Sequence, residues 1–310
     1  MREVVILSGV RTAIGDYMGS LSSFSAVELG IAAGKAAIER AGIKPDQIEE
    51  VAAGHVYQGG NKGNTGRQVC LGVGCPVETV ALTINQQCPS SMRATEIICQ
   101  QILLNKIDVG MVVGIESMSN CVYMIQKARQ GLRMGDAKLL DQLLYDGLID
   151  AFNDYHMGIT AENLAEMYNI SREEQDEWAL MSHQRACAAI AEGRFKEEIV
   201  PVEVKTKKGT VIFEVDEHPR ADTNMESLSK LKPAFKKDGT VTAGNASGLN
   251  DGGAAMILTH REKAAEMGLK PLAKIVSTAS AAVDPKIMGI GVVPAVHKAL
   301  KYAGLTKEDI

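Results

Sequence analysis

Aromatic residues are scarce in this chain. They make up 4% of its 310 residues, with one Trp and five Phe, which excludes an aromatic-rich β-sandwich and favours helices packed closely on a sheet. No apolar run reaches the roughly 18 residues that would span a bilayer. No charged segment followed by a signal-type apolar run opens the chain, because Glu3-Val4-Val5-Ile6-Leu7 enters a strand at once. Basic charge is also short: the net charge is −5, and no basic stripe carries interleaved aromatics, so neither a nucleic-acid partner nor a membrane is expected. The six cysteines (Cys70, Cys75, Cys88, Cys99, Cys121, Cys187) include no C-x-x-C pair. Metal-ligand spacing is therefore missing, and a disulfide framework does not suit a chain this long and apolar. A reducing, cytoplasmic setting without a metal is expected.

What is present is enough apolar residue, 45%, to bury a large core in two domains. Residues 1–118 alternate between strand and helix signals. Strands are expected at 3–8, 50–57, 78–84 and 109–115, with helices near 25–41, 64–73 and 89–104, a βαβ rhythm that implies a layered α/β fold. From Ser119 to about 248 the pattern is irregular and more charged, and reads as a large insertion. Within it Ser171-Arg172-Glu173-Glu174 is a capping box opening a helix that Gly193 ends. Trp178 on that helix is expected to pack rather than bind. Residues 249–270 return to the first domain, and a second alternating unit begins near 271.

That second unit repeats the first. His297-Lys298-Ala299-Leu300-Lys301-Tyr302-Ala303-Gly304-Leu305-Thr306-Lys307-Glu308-Asp309-Ile310 lines up without gaps on Lys35 to Ile48, each a helix ended by Ala-Gly and a polar turn. Lys274 to Ala279 resembles the first strand. Duplication of a domain explains this better than convergence.

The most informative stretch is Ile84-Asn85-Gln86-Gln87-Cys88-Pro89-Ser90-Ser91-Met92-Arg93. A buried strand, Val80 to Ile84, precedes it, and apolar residues at helical spacing (Ile97, Ile98, Ile102, Leu103) follow. Pro89 suits a first helical position and keeps Cys88 out of helical dihedrals. Exposed N–H groups at a helix start favour a thiolate there, and hence a nucleophile. Most cysteines, however, are small buried hydrophobes. Position alone leaves both readings open.

Taken together, the duplication, the insertion and this cysteine resemble the thiolase family, and within it the short-chain acetyl-CoA acetyltransferases. The motifs are Arg11-Thr12-Ala13-Ile14-Gly15, Asn85-Gln86-Gln87-Cys88, Gly114-Ile115-Glu116-Ser117-Met118-Ser119 and His156-Met157-Gly158-Ile159-Thr160-Ala161-Glu162-Asn163. They continue with Leu231-Lys232-Pro233-Ala234-Phe235, Thr242 to Gly252, and Met288-Gly289-Ile290-Gly291. The resemblance implies two βαβαβαββ core domains in an α/β/α/β/α arrangement, with a loop domain inserted at 119–248. It implies that Cys88 takes an acyl group from a coenzyme A thioester, its own N–H forming part of an oxyanion hole. Acetyl-CoA and acetoacetyl-CoA are the implied substrates. Along the loop domain it carries His156 and Met157 to the reacting end, Ser247 to a pantetheine amide, and Ala243 and Phe235 to the tunnel wall. Leu148, Ser227 and Arg220 then lie nearer the nucleotide, and Met288 near the acyl group. Taken alone, His156 is more often a satisfied loop residue, Met157, Phe235 and Met288 core filler, and Arg220 plain surface. The segment from Ser119 to Asp141 corresponds to a tetramerisation loop, and the core domains would pair through the sheet nearest Cys88.

Two departures stand out. The family's Cys-x-Ser-Gly reads here Cys88-Pro89-Ser90-Ser91, which adds a side chain beside the turn and puts the acyl pocket's shape in question. Asn-Glu-Ala-Phe, Gly-His-Pro and Cys-x-Gly motifs, which in the family follow the point equivalent to Ile310, have no counterpart at their expected places. From this we expect a second core domain (271–310) that is only begun, and a large subunit completed by a separate small chain. Other readings are a piece of a single-chain thiolase, or a scaffold that binds acyl-CoA without turnover.

Overall fold

The computed structural model describes residues 2–310. It divides into two compact units, residues 2–143, 195–218 and 249–275 on one hand and 144–194, 219–248 and 276–310 on the other.

The first unit is built on one mixed sheet. Its strands are β1 (Val4–Thr12), β2 (Glu50–Gly54), β3 (Val80–Ile84) and β4 (Val109–Ser117), and they alternate with helices α1 (Ala26–Ala41), α2 (Thr65–Gly72) and α3 (Ser90–Leu103). Each strand and helix lies within a few residues of its sequence expectation. Helix α1 starts where Ser25 and Glu28 close a capping box and stops at Gly42, whose φ of 70° is the left-handed cap that glycine adopts without strain. Strand β9 (Asn250–His260) enters between β1 and β4, antiparallel to both, whereas β2 runs parallel to β4 and β3. The order across the sheet is completed by a two-residue strand, β10 (Ala273–Lys274), outside β1.

Both faces of the inner strands are covered, so they read as nearly unbroken apolar runs, whereas β3, expected to be a buried strand, lies at the sheet's edge with Val80 62% exposed and no residue fully buried. Val51, Ala53, Met111, Val113 and Ile257 meet α1 and α2 on one face. On the other, Ala52, Val112 and Leu258 meet Ala94, Ile98 and Ile102 of α3. Each fully buried Ile, Leu or Val here contributes about 1.5–3 kcal/mol. This clamps α3, and with it the turn that starts α3, firmly to the sheet.

Two segments assigned by sequence to the insertion belong to this unit instead. Residues 119–143 carry a ribbon of β5 (Tyr123–Ile125) and β6 (Leu139–Asp141). Residues 195–218 carry the hairpin β7 (Val202–Thr206) and β8 (Gly209–Phe213). The second is tied to the end of β1 by Arg11, whose guanidinium grips both oxygens of Asp216 at 2.7 and 3.0 Å and Glu198 at 2.8 Å. No local sequence signal encodes that long-range clamp, which is why 119–248 looked continuous.

The second unit holds α4 (Met157–Tyr168), α5 (Arg172–Ala191) and the short α6 (Met225–Ser229). The capping box of Ser171 and Glu174 opens α5 as expected. Trp178, expected to pack, is 68% exposed. The one buried residue of α5 is Asp176, held by Arg172 one turn earlier at 2.7 Å, so the helix turns a polar edge inward and leaves its indole outside. After α7 (Arg261–Glu266) in the first unit, the chain ends the second with α8 (Val292–Ala303).

The internal repeat holds in three dimensions. Helix α8 stops at Gly304 (φ 69°) as α1 stops at Gly42. One-turn helices follow at matching places, Pro45–Gln47 and Lys307–Asp309. Ser8 Oγ donates to the Ala37 carbonyl at 2.7 Å, and Ser277 Oγ to that of Ala299, the aligned residue, at 2.8 Å. The strand expected at 274–279 is confined to Ala273–Lys274, because only Ala273 and Lys274 find ladder partners on β1.

Candidate active site

Of the six cysteines, Cys88 is the exposed one. Cys70, Cys75 and Cys99 are buried, and burial pushes the Cys99 thiol up to about 12. Cys88 lies in the turn between β3 and α3, two residues before the helix begins at Ser90, with Pro89 as its cap.

That turn is held from several sides. Gln87 adopts φ 55°, a left-handed conformation uncommon outside glycine. Its N–H donates to Asn85 Oδ1 at 2.9 Å, and its carbonyl accepts from Ser90 N at 2.9 Å. Buried Ser90 reaches back, its Oγ accepting from Gln86 N at 2.9 Å. Beneath the turn the sheet is glycine: Gly54 pairs in register with Gly114. A Cβ on Gly54 would lie 2.3 Å from Ser91 N, and one on Gly114 would lie 2.9 Å from Ser91 Cβ. The close approach of α3 to the strand ends therefore requires both glycines.

Ser91 is half-buried with its side chain over Gly114. The extra side chain thus faces the sheet. Ser91→Gly is expected to cost about 0.5 kcal/mol, the penalty of glycine relative to serine within a helix. Relative kcat/KM for acetyl-CoA and for a four-carbon acyl-CoA is expected to change less than twofold. A larger shift would place Ser91 in the acyl pocket.

The residues expected to hold coenzyme A all fall in the second unit. His156 caps α4, its Nδ1 accepting from Gly158 N at 3.0 Å. That bond fixes the neutral ring's proton on Nε2. The ring stacks on Phe235 at a centroid separation of 4.5 Å and 17° between planes. Gly158 permits the stack, since a Cβ there would lie 2.3 Å from the Phe235 ring. Ala234 N donates to the Val241 carbonyl and Pro233 bridges Thr242, which brings the segment of Phe235 alongside the loop carrying Ala243 and Ser247. Buried Glu162 fixes that loop, accepting from Thr240 N, Val241 N and Thr240 Oγ1. Asn245 braces it from within, accepting from Thr242 N and donating to Asp176.

Met157, Phe235 and Leu148 are half-buried, while Ala243, Ser247, Arg220, Ser227 and Met288 are exposed. None of them is core filler. Asn163 Nδ2 donates to the Lys286 carbonyl at 2.8 Å, which ties the segment of Met288 to α4. Arg220 N donates to His183 Nδ1 at 3.2 Å. Ser227 has a structural task, its Oγ donating to the Asn224 carbonyl and accepting from Asn224 N in the capping box that opens α6. Glu162 and Asn245 lie within the motifs, but the sequence gives them no role. Nothing short of their buried partners reveals one.

Burial lowers the pKa of His156 below its ordinary value. A histidine held neutral contributes stability that is complete above its unfolded value near ~6.5 and lost as pH falls through the lower folded value. His156→Asn keeps a capping oxygen and removes the titration. The variant's Tm is expected to fall less than the parent's between pH 7.5 and 5.5; equal slopes would refute the assignment.

The N-terminal domain model of thiolases matches residues 4–262 and the C-terminal domain model residues 269–310. The chain belongs to the thiolase family. Acetyl-CoA acetyltransferases of Syntrophomonas wolfei and Pseudomonas aeruginosa are 49% and 50% identical to it, each aligned with 100% of this chain and covered over 78% and 79% of its own length. Among solved structures, the Syntrophomonas wolfei acetyl-CoA acetyltransferase superposes with a TM-score of 0.98 at 48% identity, and human mitochondrial 3-ketoacyl-CoA thiolase with 0.97 at 44%. Each covers 100% of this chain, which spans 78% of each. The thiolase fold expected from the motifs is thus the fold found. Because both thiolase domain models match, these likenesses lend no support to the expected incomplete second domain or separate small subunit.

Proposed function

We propose that this thiolase is an acetyl-CoA C-acetyltransferase with Cys88 as its nucleophile. The Cys88 sulfur attacks the thioester carbonyl of acetyl-CoA, the carbon–sulfur bond to coenzyme A breaks, the thiol proton passes to the departing coenzyme A sulfur, and the acetyl group rests on Cys88 as a new thioester. A second acetyl-CoA then gives up an α-proton, its carbanion attacks the acetyl carbonyl, and the Cys88 sulfur leaves and takes up a proton in its place, yielding acetoacetyl-CoA. Thiolysis is the reverse. Because one thioester replaces another, the acyl group stays activated throughout. Coenzyme A enters as substrate, and no resident cofactor is invoked.

The observation that carries this reading is an exposed cysteine on a braced turn between β3 and α3, where the family motif falls. Its support for substrate is the names of the relatives and the accessible His156, Met157, Phe235, Ala243, Ser247 and Met288 of the second unit, with Leu148, Ser227 and Arg220 toward the nucleotide. Coenzyme A-dependent cleavage of acetoacetyl-CoA by the purified protein tests it. No cleavage under any pairing of chains would overturn it.

The finer reading keeps a complementing polypeptide that brings the activating base, the main oxyanion donors and the second acid/base. Its support is the uncovered apolar side chains Val292, Val293 and Val296 on α8. Full activity from these 310 residues alone would contradict it. Self-association belongs to the same reading, with edge residue Val80 of β3 and ribbon residues Tyr123, Ile125 and Leu139 exposed; light scattering would decide dimer or tetramer. Cytoplasmic residence is likewise proposed; no described helix is long and apolar enough to cross a membrane.

A further inference from the structure

We infer that Glu116 and Asn85 are positioning residues for Cys88, joined to its turn by a chain of hydrogen bonds that runs through the loop after β2. The inference rests on the reading of Cys88 as acyl acceptor and adds the groups that set its place.

The chain starts at the end of β4. Glu116, with 26% of its side chain exposed, accepts from Val56 N through Oε2 at 3.0 Å and from Tyr57 N through Oε1 at 3.2 Å. A carboxylate receiving two backbone N–H groups is a strong, directional anchor. His55 carries the loop out of β2, its N–H donating to the Ile84 carbonyl at 3.0 Å, so pairing with β3 continues past Gly54. The His55 ring is buried, with Nδ1 at 3.0 Å from Thr65 Oγ1. Its Nε2 is 3.3 Å from Glu116 Oε1 without the alignment of a hydrogen bond. Tyr57 secures the far side of the loop, its hydroxyl donating to the Leu143 carbonyl at 3.0 Å. Burial pushes that phenol up, so it stays a donor.

The loop then hands its position to the cysteine turn. The Val56 carbonyl accepts from Asn85 Nδ2 at 3.3 Å, and Asn85 Oδ1 accepts from Gln87 N at 2.9 Å. Asn85 and Gln87 are exposed, and the Val56 carbonyl also accepts from Gln58 N at 3.1 Å, so neither bond is needed to satisfy a buried group. What they do is fix the backbone of Gln87 in its left-handed conformation, one residue before Cys88. Asn tolerates this bridging task because its amide donates and accepts at once. A side chain that only accepts, or only donates, breaks the chain at one end.

Three variants separate the links. Asn85→Asp keeps the acceptor for Gln87 N and loses the donor to Val56; Asn85→Ala loses both; Glu116→Gln gives up one of two acceptors. Each is purified with any chain that the parent needs for activity. Hydrogen exchange is followed in the peptide spanning Ile84 to Ser91, and acetylation of Cys88 by acetyl-CoA is followed by mass. Exchange in that peptide is expected to quicken severalfold in all three. The acetylation rate at saturating acetyl-CoA is expected to fall about tenfold in Asn85→Asp and Glu116→Gln and about a hundredfold in Asn85→Ala, with the half-saturating concentration within twofold of the parent's. A general loss of structure would move both. Parental exchange, or parental acetylation despite faster exchange, would overturn the inference. Should the parent itself never acetylate Cys88, the acyl-transfer reading fails, and the exchange data alone decide whether the chain of bonds holds the turn.

Discussion

Cys88→Ala is expected to lower coenzyme A-dependent cleavage of acetoacetyl-CoA by about 10⁴-fold or more while shifting Tm by no more than about 2 °C. The two halves of this expectation have separate causes. A nucleophile that forms the covalent intermediate has no substitute nearby in kind, since a methyl group cannot accept an acyl group. Stability is spared because Cys88 is exposed, so truncation opens no cavity. The same substitution at Cys99, buried between α3 and the sheet, should do the opposite, costing stability and sparing the chemistry. Activity assays paired with thermal melts on the two variants check both. A Cys88→Ala protein retaining more than a few per cent of activity would remove Cys88 from the mechanism.

The second large effect comes from a residue with no functional group. Gly54→Ala would place a Cβ 2.3 Å from Ser91 N and 2.5 Å from the Ser90 carbonyl carbon, both backbone atoms at the start of α3. No rotamer relieves such a contact, so α3 or β2 must shift. Overpacking of this kind costs about 3 kcal/mol, or roughly 6–12 °C in Tm for a unit this large. The shift is transmitted to Cys88, two residues before the helix, and a displacement near 1 Å lowers the acyl-transfer rate about a hundredfold. Gly63→Ala is the matched control, because a Cβ there meets nothing within 4 Å. If Gly54→Ala melts with the parent, then the close seat of α3 on the sheet is not what fixes the turn.

The elements around Cys88 were legible because their signals are local. Ser25 with Glu28, Gly42 and the apolar periods of α1 and α3 each mark a boundary within a few residues of sequence. The repeat was legible for the same reason, and Gly42 with Gly304, and Ser8 with Ser277, carry it into the structure. Arg11 is the opposite case. Its motif was visible, yet its partners Asp216 and Glu198 stand some 200 positions away, so no window of sequence could draw 195–218 into the first unit. Glu116 and Asn85 lie within motifs that show no role for them, because what they do depends on the carbonyl and N–H groups of Val56, a residue without a side-chain function. Trp178 was misjudged since size alone suggested packing, whereas α5 turns Arg172 and Asp176 inward.

Peptide mapping after brief incubation with acetyl-CoA tests the central claim most directly. The account predicts one acetyl group, labile to hydroxylamine as a thioester is, on the peptide carrying Cys88 and absent from Cys88→Ala. An acetyl group found stably on another residue, or no acetyl group on Cys88 in a preparation that cleaves acetoacetyl-CoA, would contradict it.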